Sequence, residues 1–229
     1  MLQYEVEPGL LQPLVPRGTE LDRWNGRTLV SIVGFRFLDT RILGAPIPLH
    51  RDFDEVNLRF YVRRRDAGAW RRAVVFVREI VPRRAIALVA RLWYNEPYIA
   101  LPMRHMIDMD RAEQGEAGRV TYEWRRNGEW EGLQVETGGY GMCPTAGSEE
   151  EFVSEHYWGY TIQRDGGSLE YEVTHPPWRV WAATRAEFRC DAGPLYGLGF
   201  GRVLEVPPRS AFVADGSAVA VYRGRRLPP

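Results

Sequence analysis

The chain contains no lysine: all 30 of its Lys and Arg positions are arginine. That excludes a Schiff base on a lysine, an internal aldimine to pyridoxal phosphate and a Walker-type phosphate loop, each of which needs a lysine amine. Arginine is no substitute, because its guanidinium stays protonated and is a poor nucleophile. Net charge is absent as well, +0 with 30 Asp and Glu, so there is no global pull toward nucleic acid or an anionic membrane. Cysteine is scarce: Cys143 and Cys190 have no metal or redox spacing and are too few for a disulfide scaffold. The histidines His50, His105, His156 and His175 form neither HxH nor HExxH, so neither a metal site nor a cofactor is expected. No apolar run reaches the ~20 residues of a membrane span. The first residues carry neither a basic leader nor an apolar signal core, so a cytoplasmic protein is expected. There is no GxSxG elbow, and the glycines of 138–141 and 196–201 read as turns and bulges, not as a dinucleotide fingerprint.

What is there reads as β structure. With 229 residues and 45% hydrophobic content, one domain spanning 1–229 is expected. Thr28 to Leu38 is rich in β-branched and aromatic residues. Phe53 to Arg63 alternates strictly, with Val56, Leu58, Phe60 and Val62 on one face and Glu55, Asn57, Arg59 and Tyr61 on the other. After a charged tip at Arg63–Gly68, Trp70 to Val81 returns as a central strand, apolar on both faces. Pro82 then suits a first helical turn, and Ala85, Ile86, Leu88, Val89, Leu92 and Trp93 recur at helical spacing, so the main helix is expected over 82–93. Asn95-Glu96-Pro97-Tyr98 ends it. Asn127-Gly128 and Asp165-Gly166-Gly167 mark two hairpins, and Ser148 with Glu151 has the form of a capping box. Arg179 to Arg189 and Ala211 to Tyr222 read as closing strands. The fold class expected is therefore mainly β (α+β). Charge is unevenly spread: 51–91 holds eleven Arg against five acids, and 108–155 four Arg against twelve acids. Surface pairing between the two segments is the expectation.

Two constellations can carry chemistry. On the polar face of the Phe53 strand, Glu55, Asn57, Arg59 and Tyr61 place an acid, an amide, a cation and a phenol at successive same-side positions. Turned inward, such a face lines a pocket for a small polar ligand; turned outward, it is a solvated face with a Glu55–Arg59 contact. Arg83 and Arg84 fall in the first turn of the expected helix, where the macrodipole disfavours cations unless an anion compensates. Glu79, on the apolar face of Val75, Val77 and Val81 by simple alternation, is the nearby partner for one of them. His156, in an aromatic run, reads as a buried histidine in an aromatic cluster or as an acid/base group. Arginines 63–65, 71 and 72 beside Trp70 form too small a patch for nucleic acid.

The runs LVSIVGFRF, DFDEVNLRFYVRR, VVFVREIVPRRAIALVARLWYNEPY and EHYWGYTIQ resemble the bacterial YqjF-like family of unknown function. More remotely, they resemble acetoacetate decarboxylase. That resemblance implies antiparallel, strongly curved sheets packed around a conical cavity. It also implies a Pro-Lys-Lys motif whose first lysine forms a Schiff base, and a strand glutamate that orients substrate. Pro82-Arg83-Arg84 stands where Pro-Lys-Lys would, and Glu55 matches the strand glutamate. The Schiff-base reaction therefore does not carry over. What the resemblance leaves is a cavity for a small carboxylate or keto acid, with Glu55 as acid/base and Asn57, Arg59, Tyr61, Glu79, Arg83, Arg84 and His156 as its lining. The opposing reading is a non-catalytic fold in which Glu55 and Glu79 neutralise arginines and the surface serves a homo-oligomer or another protein.

Overall fold

Strands Phe53–Asp66 and Ala69–Val81 are joined at Ala67-Gly68, whose φ values of 47° and 88° are the left-handed pair that a two-residue hairpin turn requires. We describe a computed structural model covering residues 1–38, 41–42, 45–46, 52–83 and 95–228, with the side chains of 41–46 outside the description. Beyond Phe53–Asp66 the sheet continues through Leu29–Phe37, Leu2–Glu5, Ser210–Ala214, Val180–Arg189, Glu129–Thr137 and Gly118–Arg126, and ends at Met103–Asp108. Beyond Ala69–Val81 it continues through Trp158–Ile162, Ser168–Thr174 and Ala220–Val221. Together with short side strands, this is a 15-stranded sheet. It is mixed rather than wholly antiparallel, because Ala69–Val81 pairs in parallel with both Trp158–Ile162 and Tyr98–Ala100.

The alternation of the Phe53 strand does what its pattern predicts. Val56, Leu58, Phe60 and Val62 join one core with Leu2, Tyr4, Val30 and Ile32, and also with Val120, Tyr122, Trp124, Leu133 and Val135 from the far wing. Residues so distant in the sheet share one core because the sheet curls and its wings face each other. Gly34 marks the closure: a Cβ there would lie 2.7 Å from the Tyr122 ring, so only glycine lets the wings meet. On the opposite face, Leu29, Tyr61, Val74, Phe152, Val153 and Phe212 form a second cluster under helix Glu149–Ser154. That helix begins as its sequence predicts: the Ser148 hydroxyl accepts from the Glu151 amide at 3.2 Å.

Several expectations need correction. The glycines of 196–201 are not turns alone. Helices Ala192–Tyr196 and Leu198–Leu204 meet there, and a Cβ on Gly201 would sit 2.8 Å from Gly193 Cα, so the glycines are spacers between two short helices. Ala211 to Tyr222 is broken into Ser210–Ala214 and Ala220–Val221. Among the described residues the basic and acidic segments form no ion pair with each other: Arg63, Arg71 and Arg72 meet Glu20, Glu170 and Asp22, and Arg126 and Arg179 meet Glu131 and Glu113. Most of the expected helix over 82–93 lies outside the described residues. No described helix is long and apolar enough to cross a membrane.

Candidate functional site

A β-bulge decides which side chains meet. Leu58 faces Arg78 and Arg59 faces Phe76, so Val77 is the extra residue in the Ala69–Val81 strand. After it the alternation is reversed. Glu79 therefore stands opposite Asn57, on the Glu55 face, and not with Val75 as simple alternation expects. On its other side Glu79 faces Tyr98 in the parallel strand Tyr98–Ala100. The chain is held there by Glu79 N–H donating to the Pro97 carbonyl at 3.3 Å, and by Asn95 Nδ2 donating to the Ile162 carbonyl at 2.8 Å. This return brings Glu96 and Tyr98, previously only a helix stop, beside Glu55 and Glu79.

The outcome is a buried acid cluster. Glu55, Glu79 and Glu96 are 2%, 1% and 6% exposed, too little for water to solvate three charges. Asn57 Nδ2 donates to Glu55 Oε1 at 3.0 Å, and the Tyr98 hydroxyl donates to Glu55 Oε2 at 3.0 Å. The Tyr171 hydroxyl donates to Glu96 Oε1 at 3.1 Å. Tyr171 gets its place from Gly159 on the facing strand, where a Cβ would be 2.2 Å from the ring. Glu79 Oε2 and Asn57 Oδ1 are buried with no hydrogen-bond partner among the described residues.

Among the described residues, no arginine forms an ion pair with any of the three. Burial pushes the Glu55 carboxyl up to about 7, against the pull of Asn57, Tyr98 and Arg59. Burial also pushes Glu96 up to about 8, opposed by the Tyr171 hydroxyl and reinforced by Glu55. Glu79 is held well above the carboxylate range by burial and then by the charges of Glu96 and Glu55. Near neutral pH the cluster thus holds protons on carboxyl groups, the state in which a carboxylic acid donates a hydrogen bond or transfers a proton. Strong shifts from burial plus like-charge neighbours mark candidate functional sites.

The other expected residues separate. Arg59 is half-buried, donates to the Val153 carbonyl at 3.0 Å and lies 5.8 Å from the Tyr61 ring centroid. Tyr61 shares a 2.5 Å hydrogen bond with Ser31. His156 packs on Tyr61 at 4.7 Å and on Phe152 at 5.5 Å, and burial with Arg72 and Arg59 holds it neutral. Arg59, Tyr61 and His156 thus form a cationic and aromatic end of the face whose acidic end is Glu55, Asn57, Glu79 and Glu96. Arg83 is exposed, and Arg84 lies outside the described residues. Two cavities of about 280 and 340 Å³ are described, one lined by Asp22, Trp24, Trp70 and Arg72 and the other by His175, Pro176 and Val219; neither touches the acid cluster. Sequence reading missed Glu96, Tyr98 and Tyr171. The one signal for the first two was an acid set between aromatic residues at Tyr94-Asn95-Glu96-Pro97-Tyr98, and Tyr171 had none.

The fold recurs in solved enzymes. An acetoacetate decarboxylase from Legionella pneumophila superposes with a TM-score of 0.62 at 15% identity, covering 99% of this chain and 83% of that one. The enduracididine biosynthesis enzyme MppR, in its complex with pyruvate, gives 0.64 at 14% identity over 98% and 86%. An acetoacetate decarboxylase-like enzyme from Sphingomonas wittichii RW1 gives 0.60 at 14% identity over 99% and 89%. At such identities the likeness is one of fold. In sequence, the chain is 28% identical over 180 residues to the uncharacterized protein YqjF of Bacillus subtilis (strain 168), covering 76% of this chain and 69% of that protein. The profile of DUF2071, an uncharacterized conserved protein, matches residues 1–218, and the chain belongs to that family.

Proposed function

We propose that the protein binds a small carboxylate or keto acid at the Glu55–Glu79–Glu96 cluster and performs general acid–base chemistry on it. The observation that carries this reading is three neighbouring buried carboxyls with no cation paired to them among the described residues, each pushed above the usual carboxylate range by burial. A protonated Glu79 or Glu96 donates a hydrogen bond to a carbonyl oxygen, which stabilises developing enolate charge. Glu55, poised at about 7, is the group matched to proton transfer at neutral pH. Arg59, Arg83 and Arg84 are the candidate clamps for the ligand carboxylate. The pyruvate complex of MppR supports the ligand class. An imine on a lysine is excluded because the chain has no lysine side chain.

The three carboxyls are buried and neither described cavity reaches them, so this reading requires a path to the cluster that opens on binding. The purely structural alternative makes Glu55 and Glu79 counter-ions of arginines. Neither carboxyl has such a partner among the described residues, and both are held above the range an ion pair would give. The test is thermal unfolding with pyruvate, acetoacetate and acetate, each to about 10 mM, where a hundred-fold excess over Kd stabilises by about 2.7 kcal/mol. Stabilisation by a keto acid that is lost in Glu55→Gln and in either Arg59→Ala or Arg84→Ala is expected. If no acid shifts the melting temperature, the reading fails. If both arginine variants are shifted as much as the parent, the clamp fails.

A further inference from the structure

The sheet ends on one side at Met103–Asp108, a six-residue strand that pairs only with Gly118–Arg126 among the described residues. Arg104 through Asp108 are all exposed, Met106 and Ile107 by 41% and 46%. An open edge of this length offers a row of unpaired backbone groups to another strand.

Which groups point outward follows from the hydrogen bonding. Arg125 N–H donates to the Pro102 carbonyl at 2.8 Å, so even-numbered residues of the edge strand bond inward to Gly118–Arg126. The N–H and C=O of His105 and Ile107 are left facing out. The outer face of the same strands carries an alternating charge ladder. Asp108 stands opposite Arg119, which pairs with Glu136 at 2.9 Å. Arg104 pairs with Glu123 at 2.6 Å, and Glu123 with Arg189 at 3.7 Å. Asp108 ends its row with no ion-pair partner among the described residues.

We propose that this edge pairs antiparallel with the same edge of a second copy of the chain, about a two-fold axis at Met106. In that register His105 and Ile107 of one copy exchange backbone hydrogen bonds with Ile107 and His105 of the other. Met106 meets Met106, and Asp108 meets Arg104 in the close, non-hydrogen-bonded pairing. The two charge rows then join into one alternating series: Glu136, Arg119 and Asp108 from one copy, then Arg104, Glu123 and Arg189 from the other. A shift by one pair, centring His105, sets Arg104 against Met106 and Asp108 against Pro102 and loses this match. The contact is small against the ~1,200 Å² of a standard interface, so the dimer is weak, with a Kd on the order of tens of micromolar.

Sedimentation equilibrium of the full chain up to about 200 µM tests this on both sides of that Kd. The parent chain is expected to dimerise. Ile107→Pro removes an outward N–H that has no partner among the described residues, so it should abolish the dimer with unchanged circular dichroism and melting temperature. Asp108→Arg, which sets arginine against Arg104, should weaken the dimer at least tenfold, and high salt should weaken the parent dimer. In a Cys143→Ser background, Met106→Cys should form a disulfide-linked dimer on oxidation and His105→Cys should not, because only the former sits across the axis within disulfide reach. A parent chain that stays monomeric, or a dimer that survives both Ile107→Pro and Asp108→Arg, overturns the proposal. Cross-linking through His105→Cys instead of Met106→Cys overturns the register.

Discussion

Glu170 and the Glu55–Glu79–Glu96 cluster are both buried carboxyl sites in one sheet, and they titrate in opposite directions. Glu170 is fully buried, yet Arg71 and Arg225 contact its Oε1 at 2.8 and 2.7 Å, Arg64 its Oε2 at 3.4 Å, and the Tyr160 hydroxyl donates to it. Against the cost of burial, these partners hold it below the usual carboxylate range. The three-acid cluster has tyrosine and amide donors but no paired guanidinium among the described residues, and burial wins. Burial alone therefore does not mark a functional acid. What sets the three acids apart is burial with no guanidinium paired to them among the described residues.

The largest effect of a single substitution is expected at Glu170. Glu170→Gln removes the carboxylate on which Arg64, Arg71 and Arg225 converge, leaves Asp66 to Arg64 and Arg71, and should cost about 3 kcal/mol in urea unfolding at pH 7. Glu79→Gln should do the opposite at pH 8, because an amide mimics the protonated acid and never ionises: stability is unchanged or raised. If both substitutions destabilise alike, the two sites are of one kind.

The pH dependence reads the same contrast without a substitution. Each cluster acid has a folded-state pKa above its unfolded value of about 4.5, so the folded state binds more protons between the two. Its contribution is full below pH 4.5 and is lost as pH rises through about 7 for Glu55 and about 8 for Glu96. Unfolding free energy should fall from pH 5 to 8.5 by up to about 1.4 kcal/mol per pH unit for each acid still titrating. Glu96→Gln should flatten that slope by about 1.4 kcal/mol per pH unit between about pH 5.5 and 7, and by less as pH passes about 8. Glu170 has the reverse sign, its contribution being lost as pH falls below the usual carboxylate range.

The sequence shows much of this and hides one part for a definite reason. Glu55 and Asn57 are legible because the Phe53 strand alternates without interruption, and period two names the face. Glu79 is misplaced because the bulge at Val77 inserts one residue, and nothing in an all-apolar run of valines marks where. Glu96, Tyr98 and Tyr171 depend on a parallel strand and a hairpin meeting along one edge of the Ala69–Val81 strand. Such contacts are set by tertiary packing, which local periodicity does not encode. Glycine shows the same limit: Gly159 looks like a weak point in a strand until Tyr171 is seen to occupy the space its side chain would fill.

The smallest expected effect isolates the tyrosines that serve both sites. Tyr98 donates to Glu55, and this bond lowers the carboxyl's proton affinity against the larger effect of burial. Tyr98→Phe should raise the Glu55 pKa above about 7 and cost about 1 kcal/mol of stability. Tyr160 likewise donates to Glu170, but there arginines stay in contact after the hydroxyl is gone. Tyr160→Phe should therefore leave Glu170 ionised throughout the neutral range while losing a similar amount of stability. Carbon-13 titration of labelled glutamate carboxyls reads both variants on one axis. A Glu55 that does not move when its donor is removed would mean that its proton is governed by Glu79 and Glu96, and that the three acids titrate as a unit.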